Sequence, residues 1–454
     1  MIVSQSPRTL RVSTVGIGAA AVLCGLLLVI TAGLLINVQH AVIGQVILGE
    51  RVLALLGFAL AIAGVLAGGR VRLTPLAALA FLVPIWGVVA LIIQEVWSST
   101  NTWQARTVAY LIPFATLGLV ALAPYAPRKN RTAAWTLGGL TALLVGMGLA
   151  QWATQTPIVW VGEKGSWYPW VWRAQDPTTG LLSVRAFSYF YTPVQYGVFC
   201  AAVGLTAVAA WRMRPVALPR PRLRIRTTVR LPRLRVRPVQ PHLLIGLIGL
   251  LGVYASANRT ALAGAAVAVM VVIAAKLRPA VVRYVPALLT ALYVILCGTL
   301  VFADGLSELI GRLNTGGDAL FQSKNLLIRL SDYPMLLREL TARNDQLLTG
   351  ARDLEALLTP VGARPDLADF VPVDNEGLFL TLQFGLPGLL LALACLYWLA
   401  REGAQAWLRR QSPFGLGLLG LVTVWAVGAC VNVVYIYLLP VACVLLLLSR
   451  PRRA

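Results

Sequence analysis

Three arginines stand out: Arg185 just before an apolar run, Arg259 at the tight turn between two others, and Arg329 on a short helical stretch within the longest polar segment. A guanidinium stays charged at any relevant pH, and its planar fork of N–H groups grips phosphate oxygens two at a time. Three such forks on one side of a membrane can converge on a pyrophosphate at its surface. The other reading is that each is solvated or faces lipid headgroups, and composition alone leaves both open. The longest polar stretch, 303–376, holds twelve of the seventeen acids, with Asp374 and Glu376 at its end, and seven basic residues, Arg329 among them. It lies between two strongly apolar runs. We read this stretch as the working part of a membrane enzyme and the apolar runs as its mount.

Other chemistries lack their residues. No Walker loop or dinucleotide fingerprint occurs, so no nucleotide site is expected. The two histidines, His40 and His242, form no HExxH pair, which argues against a zinc hydrolase. The apolar runs carry no Asp, Glu or Lys well inside them, which weighs against an ion-coupled transporter. The cysteines Cys24, Cys200, Cys297, Cys395, Cys430 and Cys443 all fall in apolar runs and form no CxxC. They read as small packing residues, without a disulfide framework or zinc spacing.

The mount is an all-α polytopic membrane bundle. Of the 454 residues 58% are hydrophobic and 12% charged, with a mean hydropathy of +0.77. Runs of about 17–25 apolar residues are long enough to span a bilayer as helix. Twelve are expected: 14–36, 52–68, 74–93, 107–123, 133–152, 192–211, 242–256, 260–275, 284–302, 377–400, 414–430 and 432–448. The first exceeds the h-region of a cleaved signal peptide and counts as a span. The net charge of +22 reflects arginines clustered in alternate connections, so both termini are expected inside and no nucleic-acid partner is implied. Sixteen of the seventeen acids then fall outside, Glu402 being the exception.

The chain divides into spans 1–211, an Arg- and Pro-rich cytoplasmic linker 212–241, spans 242–302, the outer loop 303–376 and spans 377–454. The ten arginines of 212–240 are expected to hold topology and touch anionic lipid. The outer connection 153–191 is rich in aromatics, Phe187 included. These suit an interfacial anchor or a surface on which sugars stack. Within the large loop, helices are expected over 319–330 and 334–348, the second capped by Asp332 and stopped by Gly350.

Several segments together resemble the O-antigen ligase and polymerase superfamily. They are Arg185-Ala-Phe-Ser-Tyr-Phe-Tyr-Thr-Pro193, Ser256-Ala-Asn-Arg259-Thr-Ala-Leu, Arg329 with Gly350, and Asp374-Asn-Glu-Gly-Leu378 followed by Gln383-Phe-Gly385-Leu-Pro-Gly388-Leu. The twelve spans and the position of the large loop match too. The resemblance is clearest over 185–400. It implies a metal-independent, cofactor-free, inverting glycosyltransferase on the outer face of a bacterial cytoplasmic membrane. The donor would be a glycan on a polyprenyl pyrophosphate, and the acceptor a lipid, a glycan or a protein. Arg185, Arg259 and Arg329 would hold the pyrophosphate, and a general base would deprotonate the acceptor hydroxyl.

Two positions depart from the family pattern. Ligases typically carry His before the Asn that opens the span after the loop, and here that residue is Asp374. Its carboxylate can serve as base, with Glu376 as the alternative, but Asp374 also reads as the N-cap of that span. Gly350-Ala351-Arg352 stands where a Gly-x-Gly is common. The missing His shifts weight from a ligase toward a polymerase or a divergent glycan transferase. A small-anion transporter is the alternative from a different class.

Overall fold

A computed structural model describes residue 59 and residues 73–97, 104–123, 131–155, 173–175, 182–188, 193–211, 241–302, 336–338, 340–342, 344–351, 375–430 and 432–451. The helices are α1 (Pro75–Trp97), α2 (Gln104–Leu122), α3 (Arg131–Thr154), α4 (Pro193–Ala210), α5 (Pro241–Ala255), α6 (Arg259–Leu277) and α7 (Val285–Phe302). They continue as α8 (Asn344–Thr349), α9 (Glu376–Arg410), α10 (Pro413–Gly428) and α11 (Tyr435–Ser449). A 3-10 turn, Pro279–Arg283, joins α6 to α7. Two strands of three residues each, β1 (Arg173–Gln175) and β2 (Leu182–Val184), pair antiparallel with Ala174 opposite Ser183.

The fold is helical, as expected from the apolar runs. Four helices are long and apolar enough to cross a membrane, namely α4, α6, α9 and the Pro75–Ile93 part of α1. Shorter apolar helices lie at Leu111–Leu122, His242–Ala255, Val285–Thr299, Pro413–Gly428 and Tyr435–Ser449. The run 14–36, the run 52–68 apart from residue 59, the linker 212–240 and the predicted loop helix 319–330 lie outside the described residues.

Helix α10 is the axis of the bundle. Its sequence is apolar on every side, so it can be surrounded on every side. It packs against α4, α6, α7, α9 and α11, and Trp425 at its far end is 1% exposed. The outer helices are apolar on both faces too, but their outward residues stay exposed, Leu247 and Ile248 on α5 and Met270 on α6 among them. An apolar outer surface of this kind suits a bundle whose solvent is lipid. Among the described residues five cysteines fulfil their expectation: Cys200, Cys297, Cys395 and Cys443 are buried, Cys430 is half-buried and all five are free, while Cys24 lies outside the described residues.

Close approach fixes α4 on α5. A Cβ on Gly249 would stand 2.7 Å from the Gly204 nitrogen and 3.0 Å from the Cys200 carbonyl oxygen, so the backbones touch there. Glycine faces of this kind let helices associate where burial from water gives no drive.

Helix α9 departs from its predicted bounds of 377–400. It continues to Arg410 and stops where Gln411 turns left-handed, at φ 51°. The added residues, with buried Ala404, Ala406 and Trp407, pack on α10, so the charges at 401–402 do not end the helix. α9 also bends at Gly385, whose φ is +68°. The bend frees two carbonyls. Leu382 oxygen accepts from the Ala351 N–H at 2.7 Å, and Phe384 oxygen accepts from the Trp86 indole at 2.7 Å.

The Ala351 bond seats part of the large loop on the bundle. Residues 336–338 and 340–342 are helical beside α8, in keeping with the predicted helix over 334–348. Gly350 ends α8 at φ 90°, with its N–H donating to Gln346 oxygen at 2.7 Å. A second small core joins Leu336, Leu340 and Ala351 to Val301 of α7 and to Leu378 and Leu382 of α9.

Candidate functional site

Arg185 directly follows β2, within the connection 153–191. Two anchors hold the backbone after it. The Ala186 N–H donates to the Ala255 carbonyl at the end of α5, at 2.9 Å. The fully buried Gln151 side chain of α3 accepts from the N–H groups of Phe187 and Ser188, at 3.1 and 2.7 Å, through its Oε1. Its Nε2 returns a bond to the Ser188 carbonyl at 3.3 Å. Ser188 itself is held at φ 53°. Phe187 is 2% exposed beneath this clamp, so its ring belongs to the interior and not to a sugar-stacking surface.

The Ala255 anchor leads straight into the turn that carries Arg259. Ser256 Oγ donates to Val253 oxygen at 2.6 Å and accepts from the Asn258 N–H at 3.3 Å. Asn258 caps α6 by accepting from the Ala261 N–H at 2.8 Å. Arg259 is therefore the first residue of α6, exposed, at the end where the helix dipole is positive.

Arg185 and Arg259 are brought together. Arg185 is partly buried, its Nε is enclosed, and among the described residues that nitrogen has no hydrogen-bond partner. Burial first, and then the charge of Arg259, pull the Arg185 pKa below its usual value. Neither arginine has a carboxylate partner among the described residues. An anion lying between them would relieve both effects.

The start of α9 stands at the same end of the bundle. A Cβ on Gly428 of α10 would meet Thr260 Cγ2 at 2.9 Å, which sets the first turn of α6 beside the end of α10. The next residue, Ala429, accepts from the Glu376 N–H at 2.7 Å. Asn375 caps α9, accepting from the Leu378 N–H at 3.0 Å and donating through Nδ2 to the Cys297 carbonyl at 3.0 Å. The cap is thus Asn375 and not Asp374. An amide in that place both accepts from the free helix N–H and donates to α7, which a carboxylate cannot do.

Glu376 is wholly enclosed. Its Oε1 accepts from the Trp425 indole at 2.5 Å and from the Tyr293 hydroxyl at 3.2 Å. Its Oε2 accepts from the N–H groups of Val434 and Tyr435 at 2.8 and 3.1 Å. Three of these four partners are N–H groups that can only donate, so the cage is built for a carboxylate. One side chain ties α9 to α7, to α10 and to the start of α11.

Arg329 and Asp374 lie outside the described residues. Of the candidates, then, Arg185, Arg259 and Glu376 share one end of the bundle, two as cations and one as an enclosed anion. The sequence reading missed Gln151 and the Glu376 cage. An amide within an otherwise apolar run, and a Trp late in α10 whose N–H needs an acceptor, are the signals that point to them. Among the described residues, no three His, Cys, Asp or Glu gather as metal ligands. No protein-family model, curated protein or solved structure matches the chain.

Proposed function

We propose that this chain is a membrane glycosyltransferase of the O-antigen ligase and polymerase kind. It would move a glycan from a polyprenyl-pyrophosphate carrier to an acceptor at the outer face of a bacterial cytoplasmic membrane, with twelve spans and both termini inside. One observation carries the reading. Arg185 and Arg259, from separate segments, lie close enough for one charge to act on the other, with no carboxylate described beside either. Two cations held together, one of them partly buried, are costly unless an anion joins them.

In this reading the two arginines, with Arg329, hold the pyrophosphate. Asp374 takes the proton from an acceptor hydroxyl. The acceptor oxygen attacks the anomeric carbon opposite the phosphate, with inversion. The anomeric carbon–oxygen bond breaks and its electron pair leaves on polyprenyl pyrophosphate, whose growing charge the arginines stabilise. The reaction uses neither metal nor nucleotide. Glu376, with both oxygens engaged, is assigned to holding the start of α9 and not to proton transfer. A lipid or protein acceptor makes the enzyme a ligase, and a growing glycan makes it a polymerase.

Arg259→Ala tests the clamp. The variant should reach the membrane in normal amount and lose at least about a hundredfold in transfer rate, the order seen when one oxyanion-stabilising donor is removed. Lipid-linked glycan should accumulate in cells that carry it. Undiminished transfer would end the clamp mechanism. Uptake of a labelled small anion by proteoliposomes without any lipid-linked glycan would replace the enzyme with a transporter.

A further inference from the structure

A second feature lies at the other end of the bundle and is independent of glycan transfer. Helices α7 and α9 pack side by side and run in opposite directions, since Cys297 meets Asn375 and Gly377 while Tyr397 faces the earlier turns of α7. Between them is a groove of about 480 Å³, lined by Ala287, Thr290, Ala291, Val294, Ile295 and Tyr397. The Thr290 hydroxyl is turned to the Pro286 carbonyl at 3.0 Å, so the lining is almost wholly apolar. Val294 and Ile295 are 50% and 61% exposed, so the groove opens outward and not into the core.

Two cations stand at one end of this groove. Arg283 precedes Ala287 by about one helical turn, and Arg401 follows Tyr397 by about one turn. Because the helices are antiparallel, both lie toward the same end, and the 3-10 turn that carries Arg283 packs on α9. The Arg401 guanidinium sits 4.3 Å over the Trp398 ring. The Arg283 guanidinium sits 5.5 Å over the Tyr284 ring, with its Nε donating to Ala280 oxygen at 3.0 Å. Ring stacking fixes each guanidinium and leaves its terminal N–H groups for another acceptor. The carboxylate described at this end, Glu402, is taken by Arg450 at 2.9 Å. Tyr284, Tyr397 and Trp398 are the aromatic types that gather at headgroup depth.

We propose that this groove binds an anionic phospholipid, with one acyl chain along α7 and the phosphate between Arg283 and Arg401. The apolar lining accounts for the chain, and two arginines without a described anion account for the phosphate. Basic pockets between membrane helices bind anionic headgroups for these reasons.

The test uses the purified full-length protein in detergent, titrated by native mass spectrometry. The lipids are phosphatidylglycerol and phosphatidylcholine with the same acyl chains. The protein should prefer phosphatidylglycerol by at least about twentyfold, at about fivefold per arginine near the surface. Arg283→Gln with Arg401→Gln should bring the ratio close to one. Ala291→Trp, which fills the groove, should weaken both lipids. Glycerol 3-phosphate should not displace phosphatidylglycerol, and displacement would assign the site to a soluble phosphate and overturn the lipid reading. A preference that survives the double substitution would belong to other basic residues and would equally overturn it.

Discussion

Helix α6 joins two clusters of charge, one toward each end of the bundle, that are answered in opposite ways. At the Leu277 end, Lys276 donates to the carbonyls of Val208, Ala209 and Trp211, closing the C-terminus of α4. Arg450, 4% exposed, pairs with Glu402 at 2.9 Å and reaches the Ala121 carbonyl at 3.1 Å, while Arg410 donates to Ser449 oxygen. Each of these cations is answered by an acceptor of the protein. At the Arg259 end the buried anion, Glu376, is answered by neutral donors, and the cations Arg185 and Arg259 have no carboxylate beside them among the described residues. Charge that serves the fold is paired within the fold. Charge left over, in a position that costs free energy to maintain, is available to a ligand.

The Glu376 cage gives the largest expected effect. Glu376→Ala strands four donors between three helices, and loss of a buried, hydrogen-bonded charge costs about 3–5 kcal/mol. Thermal unfolding in detergent should fall well below wild type, and Glu376→Gln should fall between the two. A carboxamide still accepts at one oxygen, but its NH2 faces donors. An alanine variant as stable as wild type would remove Glu376 from the list of structural charges and return it to the candidates for proton transfer.

Arg450→Gln should come next, at about 3 kcal/mol, because it leaves Glu402 partly buried without its cation. Adding Glu402→Gln should recover much of that loss, since both charges are then gone. A double variant no more stable than the single one would mean that the Ala121 contact, and not the ion pair, holds this end.

Gly385→Ala should cost about 2 kcal/mol and act on the seated loop rather than on the bundle. The new Cβ would run into the Leu348 carbonyl oxygen, and the left-handed φ of +68° is itself unfavourable for alanine. Amide exchange at Ala351, whose N–H is held by Leu382, should quicken while exchange in α10 stays unchanged. Equal protection of Ala351 in both proteins would show that the loop is seated by its apolar contacts alone.

Much of the bundle was legible because apolar runs dictate helices whatever their partners. The ten expected runs within the described residues correspond to α1–α7 and α9–α11. Gly350 was legible as a stop because glycine alone accepts its φ cheaply. The kink at Gly385 falls within a segment that resembles the ligase and polymerase superfamily, but its reason, the backbone of α8 lying against it, is tertiary. The cap was misjudged by one residue because Asp374 and Asn375 are both good caps, and only the Cys297 carbonyl of α7 selects the amide. The β1–β2 pair was missed because strands of three residues leave no alternation to read. Glu376 was read as an alternative general base because it ends the most acidic stretch. Its four donors come from Tyr293, Trp425, Val434 and Tyr435, which no local pattern links to it.

The smallest expected effect on stability is the most informative. Arg185→Gln should leave thermal unfolding within about 0.5 kcal/mol of wild type, or raise it, because it removes a partly buried cation that Arg259 repels. The contrast with Arg450→Gln is then one of role, since the residue type and the substitution are the same. The same variant should lose glycan transfer steeply if the unpaired cations hold a pyrophosphate. A stability loss as large as that of Arg450→Gln would mean that Arg185 is a structural charge whose partner lies in the fold. In that case the two charge clusters would no longer differ, and the clamp would have to rest on Arg259 and Arg329 alone.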